Sequence, residues 1–336
     1  MSITEEQRTI IHSQVDEILL VSAYAGSGKT FTLQRFAEAH RDSRILYLAF
    51  NKSMASEAGA KFAPLGVRTS TIHSLAFHAY GKRFTNLGNP RPHDLAAIAD
   101  HLRPQNTTAA AALILQWINA YMSSAARVPS DYVAKASQNA LGPLTDQLID
   151  PEQFGHTLDR VWADMQSGTI AAPHNAYLKL FQLKPIILPY DYILIDEAQD
   201  VTDAMIDIAL TQPAKKIFIG DPYQQIYGWN GAVNALQKLA AQGYPTLYLS
   251  HSFRCPQQIA DVANQYLRLL GASKPFKGCD TPLSDSSKAF ISRSNAGVFA
   301  YAAERLGMES FHFLGGFDGY EFRVLLDMAA LREGRA

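Results

Sequence analysis

The segment Ile18–Thr30 constrains the fold of this chain more than any other stretch. It begins with a run of apolar and partly β-branched residues, passes through the small-residue loop Ala23–Gly28, and enters the helical pattern FTLQRFAEAH. This order is typical of a buried strand, a phosphate-binding loop and a helix. The backbone N–H groups of such a loop and the positive end of the helix dipole both attract an anion. The sequence therefore predicts a phosphate site at the end of a strand.

The loop and the start of the helix contain the candidate nucleotide-binding residues Ala25, Gly26, Ser27, Gly28, Lys29 and Thr30. Gly26 and Gly28 allow backbone conformations and a close approach that a Cβ would obstruct. Lys29 is expected to reach the β- and γ-phosphates of ATP, and the Thr30 hydroxyl to bind Mg²⁺. The general pattern begins with glycine, whereas this chain has Ala23 there. For the short pattern alone, a glycine-rich turn that binds nothing is the alternative.

The composition is typical of a globular chain. The net charge is too small to indicate a particular class of partner. Hydrophobic residues make up 47% of the 336 residues, and the formal net charge is −1, so a nucleic-acid site would have to be a local groove. The two cysteines, Cys255 and Cys279, form neither a metal pattern nor a disulfide framework, which favours a cytoplasmic location, or a nuclear one in a eukaryote. The N-terminus is unlike a signal peptide, and no apolar run approaches the roughly 20 residues of a membrane span. We therefore expect no membrane association.

Strands and helices alternate in two stretches of the chain, which favours an α/β fold with a parallel sheet. In the first stretch, strands are predicted at Ile18–Tyr24, Arg44–Phe50 and Val67–Ile72, each followed by a helix. After Tyr190 they are predicted in YDYILID, KKIFIG and TLYLSHSFR, followed by a helix over CPQQIADVANQYLRLLG and a loop over ASKPFKGCDTPLSDSS. A strand, a helix, a strand and a final helix, GYEFRVLLDMAALREG, are expected to complete the chain.

Between these stretches the sequence has helical patterns and no convincing strand. The patterns are DLAAIADHL, TTAAAALILQWINAYMSS, PEQFGHTLDRVWADM and HNAYLKLFQL, with the spacing of amphipathic helices that pack together. We predict a helical insertion between two strands of one sheet.

Acidic, amide and guanidinium side chains follow the later strands, at the sheet edge where ligands of such folds bind. Asp196 and Glu197 come directly after Ile193–Ile195, where Asp196 can hold Mg²⁺ and Glu197 can polarise the attacking water. Gln224 and Gln225 follow a later strand, where an amide can sense the γ-phosphate, and Arg254 suits the stabilisation of phosphoryl charge. A solvated acidic turn and an ordinary surface ion pair of Arg254 are the alternatives.

Seven motifs in order resemble superfamily 1 DNA helicases of the UvrD type: TEEQRTII, AYAGSGKT, LAFNKSMA, TSTIHSLAF, ILIDEAQD, IGDPYQQIYGWNGA and LSHSFRCP. In sequence, the chain is most similar to the core of the F-box DNA helicases, as in LYLAFNKSMASEA, GDPYQQIYGWNGAVNAL and ISRSNAGVF. The resemblance is weaker from Thr85 to Leu183. It implies a RecA-like P-loop NTPase domain in two parts, residues 1–84 and 188–244. The helical insertion would be residues 85–187, and residues 245–336 would be an incomplete second RecA-like domain.

The resemblance also implies roles in ATP binding and hydrolysis. Gln7 would read the adenine edge, although TEEQ also predicts a capping box in which Gln7 is structural. Phe253 would stack on the adenine. Lys29, Thr30, Asp196, Glu197, Gln224 and Arg254 would bind ATP and Mg²⁺ and carry out hydrolysis. Gln224, rather than Gln225, lies at the family spacing from IYGW.

Single-stranded DNA would be gripped at the matching positions Phe50, Asn51, His73, Tyr227 and Trp229. Stacking of bases on aromatic rings tolerates any base sequence, as a translocating enzyme requires. Phe50 could instead be a core residue that ends its strand, and His73 could cap a helix. Trp229 is the strongest candidate, because it lies in a glycine-flanked loop where burial is less expected.

The implied function is an ATP-dependent DNA helicase or translocase of 3′–5′ polarity, acting on single-stranded DNA or single-strand/duplex junctions in repair or recombination. We find no F-box-like segment before the core. We also find neither of two C-terminal motifs of full-length members, one that contacts DNA and ATP and one that supplies a second arginine. Strands of the second domain are expected at Thr246–Leu249, Ala289–Arg293 and Phe311–Leu314, and unwinding by this chain alone is left open. Two alternatives are an ATP- and DNA-binding module that needs a protein partner to complete the second lobe, and a non-catalytic regulator.

Overall fold

A computed structural model describes residues 3–102, 106–138, 150–280, 289–314 and 316. The chain divides into two units, residues 1–281 and 282–336. Among the described residues, all strands lie in the first unit. They are β1 (Ile18–Ala23), β2 (Ile45–Ala49), β3 (Arg68–Thr71), β4 (Tyr192–Ile195), β5 (Lys215–Gly220), β6 (Thr246–Leu249), β7 (His251–Pro256) and β8 (Lys277–Cys279).

Helices lie between the strands and after them. They are α1 (Glu5–Ile11), α2 (Lys29–Ala39), α3 (Lys52–Phe62), α4 (Ile72–Tyr80), α5 (Ala96–Asp100), α6 (Thr107–Ser123), α7 (Pro129–Gln138), α8 (Pro151–Ser167), α9 (His174–Leu183), α10 (Asp203–Leu210), α11 (Ala235–Ala240), α12 (Gln257–Leu269) and α13 (Asn295–Glu304). None of the described helices combines the length and the hydropathy that crossing a membrane requires.

Six strands form one parallel sheet in the order β3-β2-β4-β5-β1-β6. The parallel α/β fold predicted from the alternating pattern is therefore confirmed. Because all six strands run the same way, the loops after β1, β4 and β5 leave the sheet at one edge. The predicted phosphate loop and the predicted acidic residues consequently lie on the same side of the molecule.

Side chains alternate between the two faces of the sheet, and both faces are buried. Leu20 and Leu46 join a core with the helices of the insertion, whereas Leu19 and Ile45 join a core with α2 and α3. Burial on both faces explains why the strands read as continuous apolar runs. The predicted helical patterns of the insertion appear as α5, α6, α8 and α9. Helix α7 was not predicted, because its sequence PSDYVAKASQ has few apolar residues.

The placement of the strand near Thr246 in a second domain is wrong. Strand β6 pairs in parallel with β1 in the main sheet, with Leu247 opposite Val21. The segment TLYLSHSFR is also two strands, because β6 ends at Leu249 and β7 begins at His251 in a separate two-stranded sheet with β8. A short apolar segment gives no signal for its partner, since backbone pairing is common to all sequences.

The strands expected near Ala289–Arg293 and Phe311–Leu314 are likewise wrong. Neither segment forms a strand in the described part of the second unit. Phe290 and Ile291 are exposed, and a strand that pairs with no other strand leaves its backbone groups unsatisfied. Helix α13 is present where a helix was expected.

The C-terminal side of the first unit also departs from the prediction. Strand β8 lies in a stretch that was predicted to be a loop. The final predicted helix, residues 319–334, lies outside the described residues.

Candidate functional site

The phosphate loop connects the end of β1 to the first turn of α2. Gly28 is the N-cap of α2 and adopts a left-handed conformation with φ of 81°, and no side chain caps this helix end. The Ser27 hydroxyl oxygen is buried and makes no hydrogen bond to the described residues. Free N–H groups at a helix start, beside an unpartnered hydroxyl, are donors of the kind that phosphate oxygens accept. The residues present therefore fit a nucleotide phosphate.

The SFR segment of β7 holds the back of this loop. The backbone N–H of Phe253 donates to the Gly26 carbonyl oxygen at 2.8 Å, and the Ser252 hydroxyl donates to the Ala25 carbonyl oxygen at 2.9 Å. Gly26 has φ of 69°, and a Cβ there would lie 2.5 Å from Cβ of Arg254. Only glycine allows β7 this close. Ser252 could not be predicted from local sequence patterns, because its role depends on contact with a distant loop.

Gly26→Ala is expected to displace β7 from the loop and weaken binding of a fluorescent ATP analogue about tenfold or more, because overpacking costs about 1–3 kcal/mol. The backbone strain alone should cost about 1–2 kcal/mol. Gly66→Ala is the matched control, since Gly66 has φ of 73° and nothing within 4 Å of the added carbon. Equal losses of ATP-analogue affinity in the two variants would contradict the proposed contact.

Gln7 and Phe253 both lie close to Gly28. A Cβ on Gly28 would be 3.0 Å from Nε2 of Gln7 and 3.7 Å from Cε2 of Phe253. The capping box is present, because Oε1 of Gln7 accepts the Thr4 N–H and the Thr4 hydroxyl oxygen accepts the Gln7 N–H, both at 3.1 Å. Capping thus uses only the oxygen of the Gln7 amide. The Phe253 ring stacks on His251 at a centroid distance of 5.2 Å.

Lys29 and Glu197 form an ion pair across the sheet edge. Nζ of Lys29 donates to Oε2 of Glu197 at 2.7 Å, and both side chains are partly buried. Glu197 has φ of 51°, and it alone among the described non-glycine residues has a positive φ. Strained backbone of this kind is concentrated at functional sites. The geometry brings the predicted phosphate-binding lysine and the predicted hydrolytic glutamate together.

Asp196 is buried at the end of β4. Its carboxylate accepts hydrogen bonds from the Tyr47 hydroxyl and, at 2.9 Å, from the Glu197 N–H. Burial raises the pKa of Asp196, and the charge of nearby Lys29 opposes that rise. Mg²⁺ prefers oxygen ligands, so Asp196 and the half-buried Thr30 fit the predicted metal role. Tyr47 was missed, because it reads as an ordinary core residue of β2.

The two glutamines after β5 have different partners. Nε2 of Gln224 donates to Oδ2 of Asp221 at 2.6 Å, beside the end of the strand. Nε2 of Gln225 donates to the Ala232 carbonyl oxygen at 3.0 Å and so closes the following loop. This difference favours Gln224 as the phosphate-sensing amide. Arg254 is exposed, and its guanidinium forms no ion pair within the described residues, so the surface ion pair considered above is absent there.

The segment 225–232, here called the aromatic loop, presents apolar side chains to solvent. Trp229 is 82% exposed and Ile226 is 69% exposed. The rings of Tyr227 and Phe50 lie 5.2 Å apart between centroids, tilted by 31°. The structure therefore brings three of the five predicted DNA-binding positions to one surface region.

The other two predicted DNA contacts have local structural roles. Oδ1 of Asn51 caps α3 by accepting the Met54 N–H at 2.9 Å. Nε2 of His73 lies 3.0 Å from Oδ1 of Asn175, and burial lowers the pKa of His73. His73 also lines a small pocket with Phe50 and Asp196. Contact of either side chain with DNA stays a prediction.

The sheet order, the phosphate loop and the strand-end acids define a RecA-like phosphate-loop domain. The chain belongs to the UvrD/REP helicase family, since the family model of the UvrD/REP helicase N-terminal domain matches residues 3–245. It is 31% identical to F-box DNA helicase 1 of Gallus gallus over 99% of this chain and 35% of that protein. It is 30% identical to F-box DNA helicase protein 1 of Schizosaccharomyces pombe, over 89% of this chain and 36% of that protein.

A bacterial relative gives the same family. The ATP-dependent DNA helicase PcrA of Leuconostoc citreum is 26% identical over 73% of this chain and 36% of that protein. The chain thus spans about a third of the length of the curated relatives it matches.

Proposed function

We propose that this chain is the ATP-hydrolysing, DNA-contacting core of a helicase that moves on single-stranded DNA. One observation carries the proposal. The pair of Lys29 and Glu197 lies at the sheet edge from which the aromatic loop, with its exposed Trp229, also leaves. A nucleotide site and a base-stacking surface on adjacent loops are what a translocating motor requires.

In the proposed nucleotide complex, Lys29 and the N–H groups of the phosphate loop hold the β- and γ-phosphates. Thr30 and Asp196 would hold Mg²⁺, which when bound would neutralise charge on the phosphate oxygens. Glu197 orients and polarises the attacking water, and Gln224 and Arg254 stabilise charge on the γ-phosphate. Gln7 and Phe253 bind the adenine.

In the proposed DNA complex, bases stack on Trp229, Tyr227 and Phe50, with Asn51 and His73 beside them. Because the net charge of the chain is −1, any phosphate contacts would have to come from a local groove. The 3′–5′ polarity, the preference for single strands or their junctions with duplex, and a role in repair or recombination rest on the resemblance to the family.

Trp229→Ala is expected to raise the dissociation constant for a labelled single-stranded oligonucleotide roughly 5- to 150-fold, because one stacked base contributes about 1–3 kcal/mol. Fluorescence anisotropy measures this change. Leu269→Ala is the matched control, since Leu269 is 85% exposed on α12, away from the aromatic loop in sequence. An unchanged DNA affinity in Trp229→Ala would contradict the stacking role.

A second candidate is a module whose second lobe is completed by a protein partner. Helix α12 favours it, because Ile259, Val262, Tyr266 and Leu269 form an exposed apolar stripe at helical spacing. ATP binding without turnover, in the presence of DNA, would favour this candidate over the first. The non-catalytic regulator is less favoured, because such a protein gains nothing obvious from keeping Lys29 paired with Glu197.

A further inference from the structure

Asp200, the last residue of the DEAQD motif, has no role in the scheme above. Its side chain is 7% exposed, and Oδ2 accepts a hydrogen bond from Nε2 of Gln199 at 3.0 Å. Oδ1 is buried and forms no hydrogen bond to the described residues. A buried acceptor without a partner is destabilising. The site therefore has an open hydrogen-bonding position.

The open position faces the aromatic loop. Burial raises the pKa of Asp200, and the Gln199 amide and the backbone N–H groups of Ile226 and Tyr227 oppose that rise. These two N–H groups are therefore near enough to stabilise the carboxylate, although Oδ1 forms no hydrogen bond to the described residues. The residue that follows the aromatic loop is fixed next to Asp200, because the Val233 N–H donates to the Val201 carbonyl oxygen at 2.7 Å.

The Gln199 side chain connects Asp200 to the nucleotide site. The Gln199 amide nitrogen also donates to Oε2 of Glu197 at 2.8 Å, and this same oxygen accepts from Lys29. The Gln199 oxygen accepts the Asp221 N–H at 3.0 Å, which fixes the amide orientation. A continuous series of hydrogen bonds therefore runs from Lys29 through Glu197 and Gln199 to Asp200.

We propose that Asp200 is a positioning residue that couples the nucleotide site to the aromatic loop. When the loop engages single-stranded DNA, Oδ1 of Asp200 accepts the N–H groups of Ile226 and Tyr227. When Lys29 leaves Glu197 for a phosphate, Gln199 transmits the change to Asp200. The two discrete arrangements of Oδ1, open and closed, are what such coupling needs. The inference rests on the proposed function and deepens it.

Asp200→Asn tests the coupling. In this variant the amide NH₂ faces either the Gln199 NH₂ or the loop N–H groups. Two donors then face each other, so the contact with Gln199 or the contact with the loop is lost. We measure the dissociation constant for a labelled oligothymidylate with and without a non-hydrolysable ATP analogue and Mg²⁺. In the unaltered chain the two constants should differ about fivefold or more, and in Asp200→Asn by no more than about twofold.

Asp203→Asn is the matched control, because Asp203 is a nearby carboxylate that pairs with Lys238 outside this series. Thermal unfolding checks that each variant is folded. The inference would be overturned if Asp200→Asn kept the ratio of the two dissociation constants found in the unaltered chain. It would also be overturned if the nucleotide did not change the DNA affinity of the unaltered chain. An unaltered chain that binds no DNA at all would instead contradict the proposed function.

Hydrogen exchange on the unaltered chain gives a second test, which uses no variant and so does not depend on a variant folding. The amides of Ile226 and Tyr227 should exchange about tenfold more slowly when oligothymidylate and the ATP analogue are both bound. Amides in α13, far along the chain, serve as the reference. Unchanged exchange at both residues in a DNA-saturated sample would overturn the inference.

Discussion

Lys29→Ala is expected to reduce ATP turnover by about 10³-fold, the upper range for removing one preorganised donor at developing charge. Burial raises the pKa of two acids, Asp196 and Asp221, and the charge of Lys29 opposes both rises. Without Lys29 one of the effects that oppose burial is lost, so both pKa values should rise further. A more protonated Asp196 would bind Mg²⁺ more weakly, and we expect the loss to be greatest at low pH.

Steady-state phosphate release and titration with a fluorescent ATP analogue measure the two parts of this effect. Lys61→Ala is the control, because Lys61 is exposed and pairs with Glu57 one helical turn away. If Lys29→Ala retained more than about a tenth of the turnover, phosphate binding by this lysine would not be the main source of catalysis.

Glu197→Gln is expected to separate ATP binding from hydrolysis. The amide keeps an oxygen that can accept from Lys29, so ATP affinity should stay within about threefold, whereas loss of the base should slow hydrolysis by about 10²–10⁴-fold. Single-turnover hydrolysis at saturating ATP gives the chemical step directly. Glu57→Gln on the exposed face of α3 is the matched control. Near-normal hydrolysis in Glu197→Gln would assign the base to another residue.

The fold and the phosphate loop could be predicted from sequence because local patterns determine them. The strand, the loop and the helix from Ile18 onwards appear in the structure as β1, the loop and α2. The Thr4–Gln7 capping box is equally local, since its partners are three residues apart. In both cases neighbouring residues supply the whole signal.

Long-range partners could not be predicted in the same way. Strand β6 pairs with β1 through backbone hydrogen bonds, and such pairing produces no pattern in the side-chain sequence. The hydroxyl of Ser252 acts on Ala25, 227 positions away, and its neighbours in the sequence give no hint of that contact. Tyr47 combines core packing with a hydrogen bond to Asp196, and only the first property shows in the strand pattern.

On the DNA side, the glycine-flanked setting of Trp229 predicted its exposure correctly. The interpretation of Phe50 as a pure core residue is wrong, because it is half-buried and lies beside Tyr227. Asn51 and His73 show the limit of motif transfer, since both side chains already have partners within the fold. Residue type and order suggest a role, and the geometry decides how much of each side chain is available.

ATP hydrolysis by the purified chain, with and without single-stranded oligonucleotide, tests the central claim most directly. We expect turnover that DNA stimulates about tenfold or more, that Lys29→Ala lowers by about 10³-fold, and that responds less to DNA in Trp229→Ala. A chain that binds ATP and DNA but shows no turnover with both present would contradict the motor assignment.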